Sequence, residues 1–166
     1  MAPQLILRFP DPRLRQVATS ATDFGPELRE LAENLLQQMR AAPGIGITAP
    51  HIGVLIRLVV IELPGEDLVR YYVNPRVVWA SGERTRHEEG SVSMPRVSEE
   101  IERPARVRVE FQDLDGVARV EDAAGLLAVC LQHEIDQLDG VFWIQRLSRL
   151  RRERVVKRYE KSTRRG

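Results

Sequence analysis

Two stretches of the chain carry apolar residues at three- and four-residue spacing. Between Asp122 and Gly140, Leu126, Leu127, Cys130, Leu131, Ile135 and Leu138 predict a helix, and because apolar side chains occur nearly all the way round, a buried one. After Gly25-Pro26, the spacing of Leu28, Leu31, Ala32, Leu35, Leu36 and Met39 predicts a helix that covers one face of a sheet and is stopped by Pro43. Elsewhere the pattern is that of strands. Leu5 to Phe9 forms a short strand ended by the Pro10-Asp11-Pro12 turn, and the Val, Ile and Leu-rich run Ile52 to Leu63 reads as a core strand. Leu68 to Val73 and Arg76 to Ala80 are two more, split by Asn74-Pro75 and closed by Ser81-Gly82. Arg84 to Glu102 is polar and irregular and is expected to be a long loop. Ala105 to Phe111 alternates cleanly, as a half-buried strand does, and turns at Asp113-Leu114-Asp115-Gly116 into a hairpin partner over Val117 to Val120. Val141, Phe142 and Trp143 close the core beneath the central helix.

Composition narrows this to one domain spanning residues 1 to 166, since 166 residues with 43% hydrophobic content can build one substantial core. The formal charge of +1 conceals an asymmetry. From Arg146 onward there are ten basic and two acidic residues, whereas the rest of the chain holds 15 basic and 22 acidic. Residues 147 to 161 are therefore expected to form a basic amphipathic C-terminal helix, with Leu147, Leu150, Val155 and Tyr159 facing inward. Its Arg-rich face is either simply solvated or a contact for the ribosome or an acidic protein. Cys130 is the only cysteine, which excludes an intrachain disulfide and a cysteine cluster for zinc or iron–sulfur binding; inside the apolar helix it reads as a packed small hydrophobe. No apolar run is long enough to span a bilayer, so a cytoplasmic protein with no membrane partner is expected, its oligomeric state open.

Candidate chemistry sits on the helix predicted to be buried. At 100° per residue, Cys130, His133 and Gln137 fall within about 60° of one another and Glu134 lies on the adjoining flank, so these side chains are expected to face one site. The pattern nearly completes H-E-x-x-H, in which two histidines one turn apart bind a metal and the glutamate handles the proton of a metal-bound water; Gln137 stands at the second histidine. Upstream, the two glycines of Gly44-Ile45-Gly46 imply a backbone passing close to another part of the molecule, without the third glycine and basic residue of a nucleotide site.

Three stretches together resemble the bacterial peptide deformylases. GIGITAPH at 44–51 is similar to the family's G-x-G-x-A-A-x-Q, EEGSVS at 88–93 to E-E-G-C-L-S, and QHEIDQLDG at 132–140 to Q-H-E-x-D-H-x-x-G. The resemblance covers essentially the whole chain. It implies an α+β fold in which antiparallel strands wrap a central buried helix, followed by a C-terminal helix. It also implies an enzyme that uses a divalent metal, typically iron, to remove formate from N-terminal formyl-methionine. In that family the metal is held at the positions of Ser91, His133 and Gln137, and Glu134 takes and returns the proton of the attacking water. The oxyanion is steadied at the positions of His51 and of the Val92 backbone N–H. Ile45, Gly46, Glu89, Leu126, Val129 and Cys130 match pocket-lining positions, with Ser98 near the pocket for the methionine side chain. Arg103 is retained and is expected to pair with Glu88 or Glu89.

Ser91 and Gln137 are weak substitutes for thiolate and imidazole, which leaves three readings. The leading one is a remodelled, metal-free site acting on an amide, acyl or other small-molecule or peptide substrate. It uses Glu134, His133, His51 and Ser91, either as a serine, histidine and carboxylate trio or by proton transfer alone. The second is a catalytically inactive binding protein. The third is a zinc or iron hydrolase rebuilt on His133, His51 and Gln137.

Overall fold

In the computed structural model, which describes residues 5–165, the chain folds around the helix carrying the candidate chemistry. A helix α1 (Pro26–Ala41) leads into a short strand β1 (Gly46–Thr48), a 3-10 turn (Ala49–Ile52) and β2 (Leu58–Ile61). Strands β3 (Arg70–Ala80), β4 (Arg84–Ser91), β5 (Met94–Pro104), β6 (Arg106–Gln112) and β7 (Ala118–Ala124) follow. The central helix α2 (Gly125–Leu138), a 3-10 turn (Trp143–Arg146) and the C-terminal helix α3 (Arg149–Arg165) complete the order. Five strands pair antiparallel in the order β1-β2-β3-β6-β7, and β4-β5 form a separate hairpin. This is the expected α+β arrangement with a buried central helix and a C-terminal helix. None of the described helices is long and apolar enough to cross a membrane.

Strand β2 explains how the sheet sits between the helices. Its four residues are all buried, because Val59 and Ile61 point toward α2, where they meet Leu131, Ile135 and Leu138, while Leu58 and Val60 point toward Leu35, Leu36 and Met39 of α1. A strand covered on both faces loses the alternation that a half-exposed strand keeps, hence the unbroken apolar run. A third cluster joins the hairpin to the C-terminal region. Met94, Val97 and Ile101 of β5 pack with Phe142, Trp143, Val155 and Tyr159, and Phe9 stacks on Phe142 at 5.7 Å.

Several elements differ from the sequence reading. Residues 84–102 are the β4-β5 hairpin rather than an irregular loop. Leu5 to Phe9 is not a strand; its backbone makes single bonds, Leu7 N–H donating to the His51 carbonyl and Phe9 N–H to that of Ser93. The run Ile52 to Leu63 is strand only over Leu58–Ile61: Ile52 ends the 3-10 turn, Gly53 follows at φ +82°, and Ile56 makes only an isolated bridge with Thr19. The two strands expected around Asn74-Pro75 are one strand with a bulge. Asn74 has φ +52°, the register shifts there, and its side chain bonds both the N–H and the carbonyl of Ala21, so the missing N–H of Pro75 breaks no ladder. Strand β7 runs to Ala124, and the central helix starts at Gly125, three residues later than predicted.

The basic helix also departs in detail. Leu147, Val155 and Tyr159 are buried as expected, but Leu150 is 57% exposed. Part of its positive charge is internal glue: Arg151 and Arg158 both reach Glu99 of β5, at 2.9 and 3.3 Å. Replacing Leu131, fully buried between α2 and the sheet, by alanine is expected to cost about 2–5 kcal/mol. Leu150→Ala should stay within about 0.5 kcal/mol of the parent, both read from urea unfolding midpoints.

Candidate functional site

A cavity of about 710 Å³ opens between α2, the β4-β5 hairpin and the segment around β1. Helix α2 contributes Leu126, Val129, Cys130, His133 and Glu134; the hairpin contributes Glu89, Ser91 and Val92; the β1 side contributes Ile45, Gly46 and His51. Eleven of the residues singled out in the sequence thus line one space. His87 is exposed at its rim.

The glycines are explained by close approach. A Cβ on Gly46 would lie 2.8 Å from Glu134 Oε2, and one on Gly44 would lie 2.7 Å from Val92 Cγ1. The backbone of residues 44–46 is pressed directly against the carboxylate it helps to enclose.

His133 is oriented by Glu89, not by Glu134. Its Nδ1–H donates to Glu89 Oε1 at 2.9 Å, whereas Nε2 lies 3.7 Å from Glu134 Oε1, beyond hydrogen-bond length. Glu89 is in turn held by two bonds from Arg103, at 2.6 and 2.9 Å, and Arg103 also donates to Asp136 at 2.9 Å. Arg146 completes the chain with two bonds to Asp136. Burial alone would raise Glu89, but the hydrogen bonds from His133 and Arg103 prevail and hold it at about 2, fully ionised at neutral pH. Of the two partners expected for Arg103, Glu89 is the one it meets, and Asp136 pairs with both Arg103 and Arg146.

Glu134 is in the opposite condition. It is 2% exposed, its Oε1 has no hydrogen-bond partner among the described residues, and burial, reinforced by the neighbouring Glu89 charge against the opposing pull of His133, pushes its pKa up to about 7. Burial would lower His133, but the carboxylates of Glu134 and Glu89 outweigh it and raise the imidazole above its ordinary value. His51 is 1% exposed, and burial together with the nearby His133 lowers it to about 3. Burial raises the Cys130 thiol to about 12, with Glu134 and Glu89 adding to the shift, so it is a packed neutral thiol.

Three expectations fail. Gln137 does not line the cavity; it is buried with its Nε2 donating to the Leu14 carbonyl at 2.6 Å, so its place on the helical wheel was right for the face but its amide is engaged by the N-terminal segment. Ser98 is exposed and does not line the cavity, and its carbonyl accepts from Arg158 of α3. No hydrogen bond among the described residues joins Ser91 Oγ to either imidazole. That hydroxyl accepts from the Ser93 N–H at 3.0 Å, so the serine, histidine and carboxylate trio is not assembled.

Two contributors were missed. Thr48 donates its N–H to His51 Nδ1 at 2.9 Å in a reciprocal cap of the 3-10 turn, and the Thr-x-x-His spacing was the available signal. Arg8 donates to the Val92 carbonyl from the N-terminal segment, a contact with no sequence signature.

The polypeptide deformylase family model matches residues 3–153. A peptide deformylase-like protein of Brucella melitensis is 62% identical over 161 residues, covering 97% of this chain and 98% of the relative. A peptide deformylase of Rhodopseudomonas palustris is 42% identical over 171 residues, covering all of this chain and 98% of the relative. The crystal structure of a peptide deformylase from Legionella pneumophila superposes with a TM-score of 0.92 at 35% identity, covering 98% of this chain and 96% of that one. Fold and sequence therefore agree over nearly the whole length, and the chain belongs to the polypeptide deformylase family.

Proposed function

We propose that this family member uses the deformylase pocket without the family's metal, as an acid–base site for an N-acyl amide such as the formylated end of a peptide. The observation that carries the reading is Glu134 Oε1, a buried oxygen with no hydrogen-bond partner among the described residues, on a carboxyl held near neutrality beside His133. A general base is most effective when its pKa lies near the working pH.

The side chains present do not fit a first-row divalent ion. Ser91 supplies a neutral hydroxyl already accepting a backbone N–H, Gln137 has its amide on Leu14, and the Cys130 thiol is far from ionised. Among the described residues, no group of three or more His, Cys, Asp or Glu side chains is arranged to hold a metal. These features support a metal-independent site, and the lost trio leaves proton transfer as the chemistry. In this reading Glu134 takes a proton as water adds to the acyl carbon and returns it to the departing nitrogen, releasing acid and amine. His133, fixed through Nδ1 by ionised Glu89, supports the charge on Glu134.

Protein purified without added metal is expected to contain well below one iron, nickel or zinc per chain. It should hydrolyse an N-formyl-methionyl peptide at a rate insensitive to chelators, and Glu134→Gln should lower that rate by about 10²–10⁴-fold with folding intact. Stoichiometric metal that chelators remove together with activity would overturn the reading; folded, metal-free protein that binds the peptide without turnover would leave a binding protein.

Gly46→Ala is expected to push the Glu134 carboxyl out of place and cost at least tenfold in the same rate, while the thermal midpoint moves only a few degrees. The double variant Ser91→Cys with Gln137→His is expected to take up iron, nickel or zinc measurably better than the parent. Equal metal content in a correctly folded double variant would mean that more than two ligands separate this site from a metal centre.

A further inference from the structure

A separate cavity, of about 280 Å³, lies between the N-terminal segment, the 3-10 turn after α2 and the first turns of α3, and shares no lining residue with the cavity described above. Its walls are apolar. Phe9, Leu14, Phe142, Ile144 and Val156 line it, all from the cluster that joins the hairpin to the C-terminal region. Leu14, Phe142 and Ile144 are buried, and the Phe9 ring lies nearly parallel to that of Phe142, at an interplanar angle of 7°. Two arginines, Arg15 and Arg152, complete the lining, and neither forms a salt bridge among the described residues. Their neighbours do: Arg13 pairs with Asp11, Arg146 with Asp136, Arg149 with Glu153 and Arg151 with Glu99. Asp11, the one carboxylate lining the cavity, is engaged by Arg13 through side-chain bonds of 2.8 and 3.1 Å.

Arg15 is held by a neutral group instead. With the Gln145 amide turned so that its oxygen faces the guanidinium, Oε1 accepts from Arg15 Nε at 2.7 Å and from Nη2 at 2.8 Å, which fixes the direction of the charge and leaves it uncompensated. The backbone there is pinned from behind, since a Cβ on Gly140 would lie 2.6 Å from the Arg15 carbonyl oxygen and Gln137 donates to the Leu14 carbonyl. Arg152 is half-buried and stands four residues before Val156 on α3, so the two share the helix face that looks onto the cavity. A cation drawn partly out of water beside an apolar hollow has given up hydration without gaining an ion, and what would compensate it is an anion with an apolar body. We propose that this cavity binds a small carboxylic acid carrying an aromatic or branched aliphatic group. The apolar group is enclosed by Phe9, Phe142, Ile144 and Val156, and the carboxylate is met by Arg152 with Arg15 beside it. Inorganic phosphate would leave the aromatic walls uncovered, and an uncharged apolar molecule would leave both guanidiniums unmet.

The test uses the full chain, with 4-fluorophenylacetate as the probe and 4-fluorophenylacetamide as its uncharged counterpart. Fluorine NMR titration gives the affinity, and methyl shifts of the protein give the location. The acid is expected to bind with a dissociation constant of about 0.1–1 mM, and the amide about tenfold more weakly. Arg152→Gln should weaken the acid about tenfold and Arg15→Gln about threefold or more. Arg154→Gln, exposed on the same helix, should leave the affinity within about twofold, which separates this cavity from a general attraction to the basic helix. The methyl signals of Ile144 and Val156 should move with the acid while those of Leu126 and Val129, in the other cavity, stay in place. Equal binding of acid and amide, an equal loss in Arg154→Gln, shifts at Leu126 and Val129 instead, or no binding up to about 10 mM would each overturn the proposal. If Arg152→Gln does not fold, the comparison of acid with amide and the methyl shifts of the parent decide alone.

Discussion

The structure depends on a buried arginine. Arg103 ends strand β5 with only 4% exposure, yet it binds Glu89 of β4 through two hydrogen bonds and Asp136 of α2 through a third. Two carboxylates brought out of water without it would be expensive, and breaking a buried pair of this kind typically costs of the order of 3–5 kcal/mol. The same contacts join the hairpin to the central helix, so the wall of the cavity and the helix that carries His133 cannot shift independently. Because Glu89 stays ionised, it fixes the His133 ring through Nδ1 and turns Nε2 toward Glu134. The electrostatics of the site thus follow from a tertiary contact outside it.

That contact is also why the hairpin was illegible in the sequence. Inward positions of a strand are ordinarily apolar, and Val97 and Ile101 obey, but Arg103 at the next inward position and Glu89 in the cavity wall are charged. Two buried ions that satisfy each other look, in one dimension, like two solvated residues. The alternation of Val107 and Val109 survived because strand β6 has no such pair, and the central helix was legible because burial on all sides leaves apolar residues at every angle. Helix α1 was equally plain, since only one of its faces meets the sheet.

The site was legible to the level of which residues gather and not of what they do. Helical geometry brought Cys130, His133 and Glu134 to one face, and the Gly44 to Gly46 spacing announced a close approach whose partners, Val92 and Glu134, only the fold could supply. Roles were set by contacts between segments distant in sequence. Gln137 shares the helix face but is captured by the carbonyl of Leu14, and His133 is claimed by Glu89 instead of its neighbour Glu134. A helical wheel gives the direction of a Cβ, whereas the direction of a side-chain amide or imidazole is chosen by whichever partner lies within about 3 Å.

Metal sites commonly contribute part of a domain's folding energy, so Ser91 and Gln137, which the resemblance sets at ligand positions, bear on stability as well as on chemistry. Both side chains are satisfied by the chain itself. Ser91 Oγ closes the hairpin turn by accepting the Ser93 N–H, and the Gln137 amide pins the segment around Leu14 to α2. Leu14 belongs to the same apolar cluster as Trp143 and Val155, so the bond from Gln137 fastens the central helix to the C-terminal packing. Serine and glutamine at these positions therefore do structural work that does not require an ion. Of the four buried side-chain atoms left without a hydrogen-bond partner among the described residues, Ser93 Oγ and Trp143 Nε1 lie away from the cavity, whereas His51 Nε2 and Glu134 Oε1 belong to residues that line it, where a ligand can meet them.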